Sequence, residues 1–252
     1  MDKVHEGVLV QGASRGIGLE AVRQLLDRNK ETRVFATCRA PSEAQDLASL
    51  ADETSGRLEV LELDVTHEPS IEAAYSAVRQ SAESLSLVLN VSGVLHGPGF
   101  SPEKKLGHVS PGALRTVFEV NAFGPLLVAK HFHPLLRHPG RSVFASLSAR
   151  VGSIADNRLG GWYAYRASKA AQNMFTKTIA IELQRIAPHA IVVGLHPGTV
   201  DTDLSLPFQR GVPEEKLFTP EHSVSQLLSV IDGLDPDDTG KVFDFRGEEI
   251  LP

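Results

Sequence analysis

Short apolar runs rich in β-branched residues alternate along the chain with longer segments whose apolar positions return every three or four residues. The runs "GVLVQG", "RVFATCR", "RLEVLELDV", "LSLVLNVSG", "RSVFASLS", "AIVVGLHPG" and "KVFDFRG" read as strands. Between them, residues 16–29, 42–53, 68–84, 111–137, 163–187 and 220–233 carry the helical period. Near-continuously apolar strands need cover on both faces, which predicts a mostly parallel seven-stranded sheet between two layers of helices. The expected fold is α/β, a doubly wound Rossmann arrangement. No linker, repeat or low-complexity tract interrupts it, so residues 1–252 are expected to form one domain. Two segments break the alternation, 96–110 and 199–218, both rich in glycine, proline and charge. Each follows a strand end, where such sheets open their ligand crevice. They are either plain surface loops or parts of a site, and the second is long enough for a lid.

Composition trims the list of functions. A net charge of −6 argues against a general nucleic-acid binder. The start, "MDKVHEGVLVQGASRG", lacks the pattern of a signal peptide, and runs such as "AIVVGL" are too short to span a bilayer. The single cysteine, Cys38, excludes an intrachain disulfide and a cysteine-rich metal site. The expectation is a cytoplasmic protein, away from membranes and nucleic acids, with a small molecule as partner.

The segment "QGASRGIG" sets Gly12, Gly16 and Gly18 between the first strand and the first helix. Glycines there allow a tight turn and a close approach to a pyrophosphate, at which the helix N-terminus points its free N–H groups. Contacts are expected from Gly12, Ser14, Arg15, Gly16, Ile17 and Gly18. An acidic residue at the end of the second strand would hold the ribose hydroxyl of NAD. Cys38 and Arg39 stand there instead, with Arg15 inside the glycine loop. Two guanidiniums suit a 2′-phosphate, which points to NADPH/NADP, unless both arginines are simply solvated.

In "GGWYAYRASKAA" two of the chain's three tyrosines lie beside a lysine. On a helix, residues i and i+4 share a face, so Lys169 accompanies Tyr165 and not Tyr163. An ammonium beside a phenol favours the phenolate, which tunes Tyr165 toward proton exchange with an alcohol or ketone.

Together these features resemble the short-chain dehydrogenase/reductase family over nearly the whole chain. "LDV" matches the turn that holds adenine, through Asp64 and Val65, and "NVSG" (Asn90, Val91, Ser92, Gly93) resembles N-N-A-G after the fourth strand. "VNAFG" supplies Asn121 at the position of the catalytic asparagine. "YRASK" supplies Tyr165 and Lys169, and "HPGTVDT" brings Pro197, Gly198, Val200 and Thr202 beside the nicotinamide. More narrowly, "VGSIADNRLGGWYAYRASKAA" resembles the subgroup of the C-factor developmental protein and the sniffer-type carbonyl reductases, which share the insertion before the tyrosine. One departure concerns the pattern S-S-x-x-G, whose second serine is catalytic. Aligned on Gly152, that position holds Ala149, one residue after Ser148. Successive strand residues face opposite ways, so Ser148 takes the role if the strand end bulges. Otherwise the site lacks the hydroxyl or borrows another, such as that of Ser153.

The resemblance implies hydride transfer between the nicotinamide and a carbonyl or secondary alcohol. Tyr165 would act as acid/base and Ser148 would bond the carbonyl oxygen. Lys169 would lower the tyrosine pKa and hold the ribose, and Asn121 would anchor a water. It also implies a homodimer or homotetramer through the helices 111–137 and 163–187. The alternative is a dinucleotide-binding signalling protein with little turnover. The pair His131 and His133 does not share a helix face and is not read as a metal site. Trp162 either lines the substrate mouth or packs in the core.

Overall fold

The computed structural model describes residues 4–252, so the first three residues of the expected domain lie outside it. Nine strands are described: β1 (Val4–Gln11), β2 (Arg33–Cys38), β3 (Leu58–Glu62), β4 (Ala82–Asn90), β5 (Ser142–Leu147), β6 (Ala190–His196), β7 (Thr199–Val200), β8 (Leu217–Phe218) and β9 (Val242–Asp244). Seven of them form one sheet in the order β3-β2-β1-β4-β5-β6-β9, with every neighbouring pair parallel. The chain runs outward from β1 to β3 and then returns to the other side of β1. That reversal opens a crevice between the C-terminal ends of β1 and β4.

The helices are α1 (Gly16–Arg28), α2 (Gln45–Glu53), α3 (Glu68–Ser81), α4 (Pro111–Phe118), α5 (Gly124–Phe132), α6 (Tyr163–Ile186) and α7 (Pro220–Gly233). Strand alternation divides the sheet's apolar residues between two cores. Val10, Ala36, Leu89 and Val193 pack with Val22 of α1 and Leu227 of α7. Leu9, Phe35, Val88 and Val192 pack on the other face with Ile71 of α3, Phe132 of α5 and Leu183 of α6. Both faces are therefore dry, as near-continuous apolar strands require.

Some expected elements differ. The helix expected over 111–137 breaks into α4, a π-helical turn at Glu119–Phe123, α5, and a 3₁₀ turn at His133–Leu136. Proline accounts for this. Pro125 has no N–H to give the carbonyl of Asn121, four residues back, and the N–H of Gly124 reaches five residues back to Glu119. The helix expected over 68–84 ends at Ser81, because Ala82 and Leu85 join the sheet and are buried. The start of 42–53 is a 3₁₀ turn at Pro41–Glu43. Nor is 199–218 an irregular loop. Thr199 pairs with Leu217 and Val200 with Phe218 in a small parallel ribbon, and a turn at Leu206–Phe208 lies between the two strands. No helix among the described residues is long and apolar enough to cross a membrane.

Candidate active site

The glycine loop leaves β1 as a cradle closed by its own backbone. Gly12 has φ +86°, and its N–H and that of Ala13 both donate to the Thr37 carbonyl at 2.9 Å. A Cβ at Gly12 would stand 2.7 Å from the Ser92 nitrogen, and one at Gly18 only 2.1 Å from the Gly12 oxygen. No side chain caps the N-terminus of α1, and its first turn holds no acid. Open N–H groups, a helix dipole and space fit for backbone alone suit the pyrophosphate of a dinucleotide. Ser14 and Ile17 lie in the same loop and first turn.

The other expected cofactor contacts gather along the same sheet edge. Asp64 accepts the N–H and hydroxyl of Thr66 at 2.8 and 2.7 Å, which fixes its carboxylate in the turn after β3. Val65 is buried beneath Gly124, where a Cβ would come within 2.8 Å of it. Asn90 donates to Ser146 at 3.2 Å, the Val91 N–H reaches the Gln11 carbonyl, and the Ser92 hydroxyl donates to Gln11 Oε1 at 2.7 Å. Gly198 has φ +80°, and any Cβ there would strike the Phe218 ring. The Pro197 carbonyl accepts from Ser223, and the buried Val200 leads to Thr202, which lies against Gly16.

The two arginines behave differently. Arg39 is exposed and has no ion-pair partner among the described residues. Arg15 is paired with Asp203 at 2.9 Å, across the cleft from the segment after β7. An exposed pair of this kind is worth about 0–1 kcal/mol, so Arg15 is held only loosely.

Tyr165 and Lys169 stand together one turn apart at the start of α6, the lysine Nζ lying 5.9 Å from the ring centre. Tyr165 is 9% exposed, whereas Tyr163 is 39% exposed and points out of the site. Lys169 is 3% exposed, and its ammonium donates to the Leu147 carbonyl at 2.6 Å and to Gln172 Oε1 at 2.9 Å. Gln172 was not foreseen, and its spacing of i, i+3 from Lys169 is the signal that could have found it. Asn121 is fully buried, accepting from the Val94 N–H at 2.7 Å and donating to the Val94 carbonyl and to Ser168. A Cβ on Gly93 would sit 3.4 Å from Asn121 Oδ1 and 3.8 Å from Lys169 Nζ, so these groups converge on one point.

Electrostatics here runs against the expected lowering of the tyrosine. Burial pushes the Tyr165 phenol up to about 12 and the Lys169 amine down to about 7. Desolvation disfavours the charged form of each and outweighs what their proximity gives. At the end of β2, burial pushes the Cys38 thiol up, against a reactive role. His131 lies 2.9 Å from Glu68, and His133 turns to the Lys130 carbonyl.

Ser148 does not reach this site. The strand end stays regular, with the Ser148 N–H continuing the ladder to the Leu195 carbonyl at 2.8 Å. Without a bulge the alternation holds, and the Ser148 hydroxyl donates to Asn173 Oδ1 at 2.6 Å. Ala149 clusters instead with Leu95 and Tyr165, bordered by Val151, Trp162, Leu204 and Phe208. Ser153, the other candidate hydroxyl, accepts the Asp156 N–H at 3.1 Å. The face next to Tyr165 is thus an apolar cluster with an aromatic side, and it includes Trp162. One contributor, Phe208, comes from the segment after β7, and another, Leu95, from the segment after β4.

The model of the short chain dehydrogenase family matches residues 6–211. A 1-hydroxy-2-glutathionyl-2-methyl-3-butene dehydrogenase from Rhodococcus is 33% identical over 93% of this chain and 94% of its own. The C-signal of Myxococcus xanthus is 41% identical over 58% of this chain and 82% of its own. Among solved structures, a carbonyl reductase from chicken fatty liver with NADPH bound superposes with a TM-score of 0.86. It is 30% identical, with 100% of this chain and 96% of that one covered. With a matched region that runs from the glycine loop through Tyr165 and Lys169 to the segment after β6, the chain belongs to the short-chain dehydrogenase family of oxidoreductases.

Proposed function

We propose that the protein is a cytoplasmic, one-domain NADPH-dependent carbonyl reductase that interconverts a carbonyl compound and its alcohol, with Tyr165 as the acid/base. The observation that carries this reading is Tyr165 and Lys169 buried together against an apolar cluster, at the C-terminal end of the sheet that also bears the glycine cradle. The chicken carbonyl reductase binds NADPH, and the unpaired Arg39 after β2 supports the same cofactor here. When bound, the nicotinamide supplies or accepts the hydride.

The chain's residues do the rest. Burial keeps the Tyr165 phenol protonated at neutral pH, the state needed to donate to a carbonyl oxygen that is becoming an alkoxide. In a dry pocket that hydrogen bond strengthens as charge develops. Lys169 is the cation nearest the phenolate left behind, and with its pKa brought to about 7 it exchanges protons readily near neutrality. The main-chain carbonyl of Asn121, denied its α-helical partner by Pro125, is the acceptor for a water that reprotonates the lysine. With Ser148 committed to Asn173 and a methyl at Ala149, Tyr165 works without a hydroxyl from the end of β5.

The similarity to C-signal and the methyl at Ala149 favour a second reading, a dinucleotide-binding signal with little turnover. Oxidation of NADPH with a panel of aldehydes, ketones and quinones separates the two, and steady turnover is expected. Tyr165→Phe should lower kcat by about 10²–10⁴ with NADPH affinity retained, the range of general acid catalysis. Tyr163→Phe should stay near wild type. Absence of turnover in the wild type, or greater damage from Tyr163→Phe, would count against the proposal.

The pocket geometry makes a second demand. Ser148→Ala should leave kcat close to wild type, while Ala149→Ser should raise it, recovering part of the roughly 10²–10³ that one oxyanion donor is worth. A large loss in Ser148→Ala would mean that its hydroxyl leaves Asn173 when substrate binds.

Cofactor choice is tested by the dissociation constants of NADPH and NADH. Arg39→Ala should weaken NADPH by about 10- to 150-fold, from about 1.5–3 kcal/mol per charged hydrogen bond, with NADH unaffected. Cys38→Asp should shift preference further by repelling the phosphate and accepting the ribose hydroxyl. A wild-type protein that prefers NADH would end this assignment.

A further inference from the structure

Three consecutive residues before α6 have left-handed backbone: Gly160 (φ +63°), Gly161 (φ +66°) and Trp162 (φ +52°). Glycine adopts that region freely, but a side chain as large as indole is strained in it. Strain of this kind persists only where the surroundings over-determine it. Two residues outside the turn do so. Arg166 donates through Nε to the carbonyls of Gly160 at 3.2 Å and Gly161 at 3.0 Å. Glu103 comes from the segment after β4 and is 3% exposed. Its main-chain carbonyl accepts the Trp162 N–H at 2.5 Å, and its Oε2 accepts the Ala164 N–H at 3.2 Å.

Trp162 occupies the N-cap of α6 and offers no side-chain cap of its own. Glu103 supplies one from a distant part of the chain, and a carboxylate is the group that a helix N-terminus prefers. The arrangement has a cost, because Glu103 Oε1 is buried with no hydrogen-bond partner among the described residues. A buried acceptor left unpartnered keeps its full desolvation penalty. The same arrangement sets the Trp162 indole edge-on to Tyr165, with centroids 6.1 Å apart, and against Phe208 at 5.2 Å.

We infer that Glu103 is a positioning residue for the reductase reaction: it locks Trp162 in its left-handed conformation, and Trp162 is the wall that presents an aromatic carbonyl substrate to Tyr165. This rests on the reading of Tyr165 as the acid. Without the Glu103 carboxylate the N-terminus of α6 loses its cap at Ala164. The main-chain bond from Trp162 to residue 103 and the Arg166 bonds are left alone to hold the strained turn, which then relaxes and lets the indole leave Tyr165. Apart from Lys169, whose ammonium is held separately by Leu147 and Gln172, the expected cofactor contacts lie on other elements and are untouched. The defect therefore falls on carbonyl compounds large enough to touch the indole.

Trp162 is the only tryptophan in the chain, so intrinsic fluorescence reports its position directly. The experiment measures acrylamide quenching of that emission, NADPH affinity, and kcat and KM with benzaldehyde and with propanal. It compares the wild type with Glu103→Ala, Glu103→Gln and Trp162→Phe. Glu103→Ala should raise the quenching constant about twofold and raise KM for benzaldehyde about tenfold, close to 1.4 kcal/mol, with propanal and NADPH little changed. Trp162→Phe should reproduce the benzaldehyde defect. Glu103→Gln, which keeps an acceptor for the Ala164 N–H, should restore both quenching and KM toward wild type. If Glu103→Ala does not fold, Glu103→Asp, one methylene too short to reach, takes its place in the same comparison. Unchanged quenching and unchanged KM in the folded variant would overturn the inference, as would equal damage to both substrates. If the wild type reduces neither compound, the reading of Tyr165 has failed, while the quenching comparison still decides whether Glu103 holds the indole.

Discussion

A lysine ammonium buried without a carboxylate is the constraint around which the C-terminal end of the sheet is organised. Lys169 is held by the Leu147 carbonyl and by Gln172, both neutral. Burial alone brings its pKa to about 7, a cost on the order of a few kcal/mol for the cofactor-free fold. Its neighbours are shaped to it. A Cβ at Gly152 would come within 2.9 Å of the Lys169 Cβ, so the turn after β5 has to be bare there. Just after β4, a Cβ at Gly93 would lie in ordinary contact with Lys169 Nζ and Asn121 Oδ1, and the π-helical turn delivers Asn121 to the same point. A group so poorly compensated marks a candidate functional site.

The same end of the sheet leaves Tyr165 without a serine hydroxyl beside it. The ladder between β5 and β6 continues through Ser148, so its hydroxyl is directed by strand alternation to Asn173 and not by any demand of the substrate. What faces Tyr165 is a methyl and an aromatic wall. In the proposed reaction such apolar surroundings would strengthen the one hydrogen bond that Tyr165 makes as charge builds.

Much of this was legible in the residues. Apolar runs alternating with helical periods carried the parallel sheet, because a strand buried on both faces cannot be written otherwise. The spacing of Tyr165 and Lys169 set them on one helix face, since helical geometry is local. The break at Asn121 was also written, in Pro125, but a long apolar period hid it. Three things were not legible, all for one reason. The direction of the Ser148 hydroxyl depends on whether a ladder continues through its neighbour strand. The pairing of Arg15 with Asp203 joins the first glycine loop to the segment after β7. The sign of the Tyr165 shift depends on how deeply the helix end is buried, and spacing says nothing of depth. Each is set by contacts distant in sequence. Glu103 belongs with them, since its partner Ala164 lies 61 residues away.

The buried lysine is tested most directly by the unfolding free energy of the cofactor-free protein as a function of pH, for wild type and Lys169→Met. Unfolded, the amine keeps its proton up to about 10.5, and folded only up to about 7. Between those values the unfolded chain binds the extra proton, so the lysine's contribution to stability rises with pH. Lys169→Met should therefore be more stable than wild type at pH 7, by a margin that narrows steadily toward pH 10.5. A margin that does not change with pH, or a wild type that is the more stable at pH 7, would contradict the account.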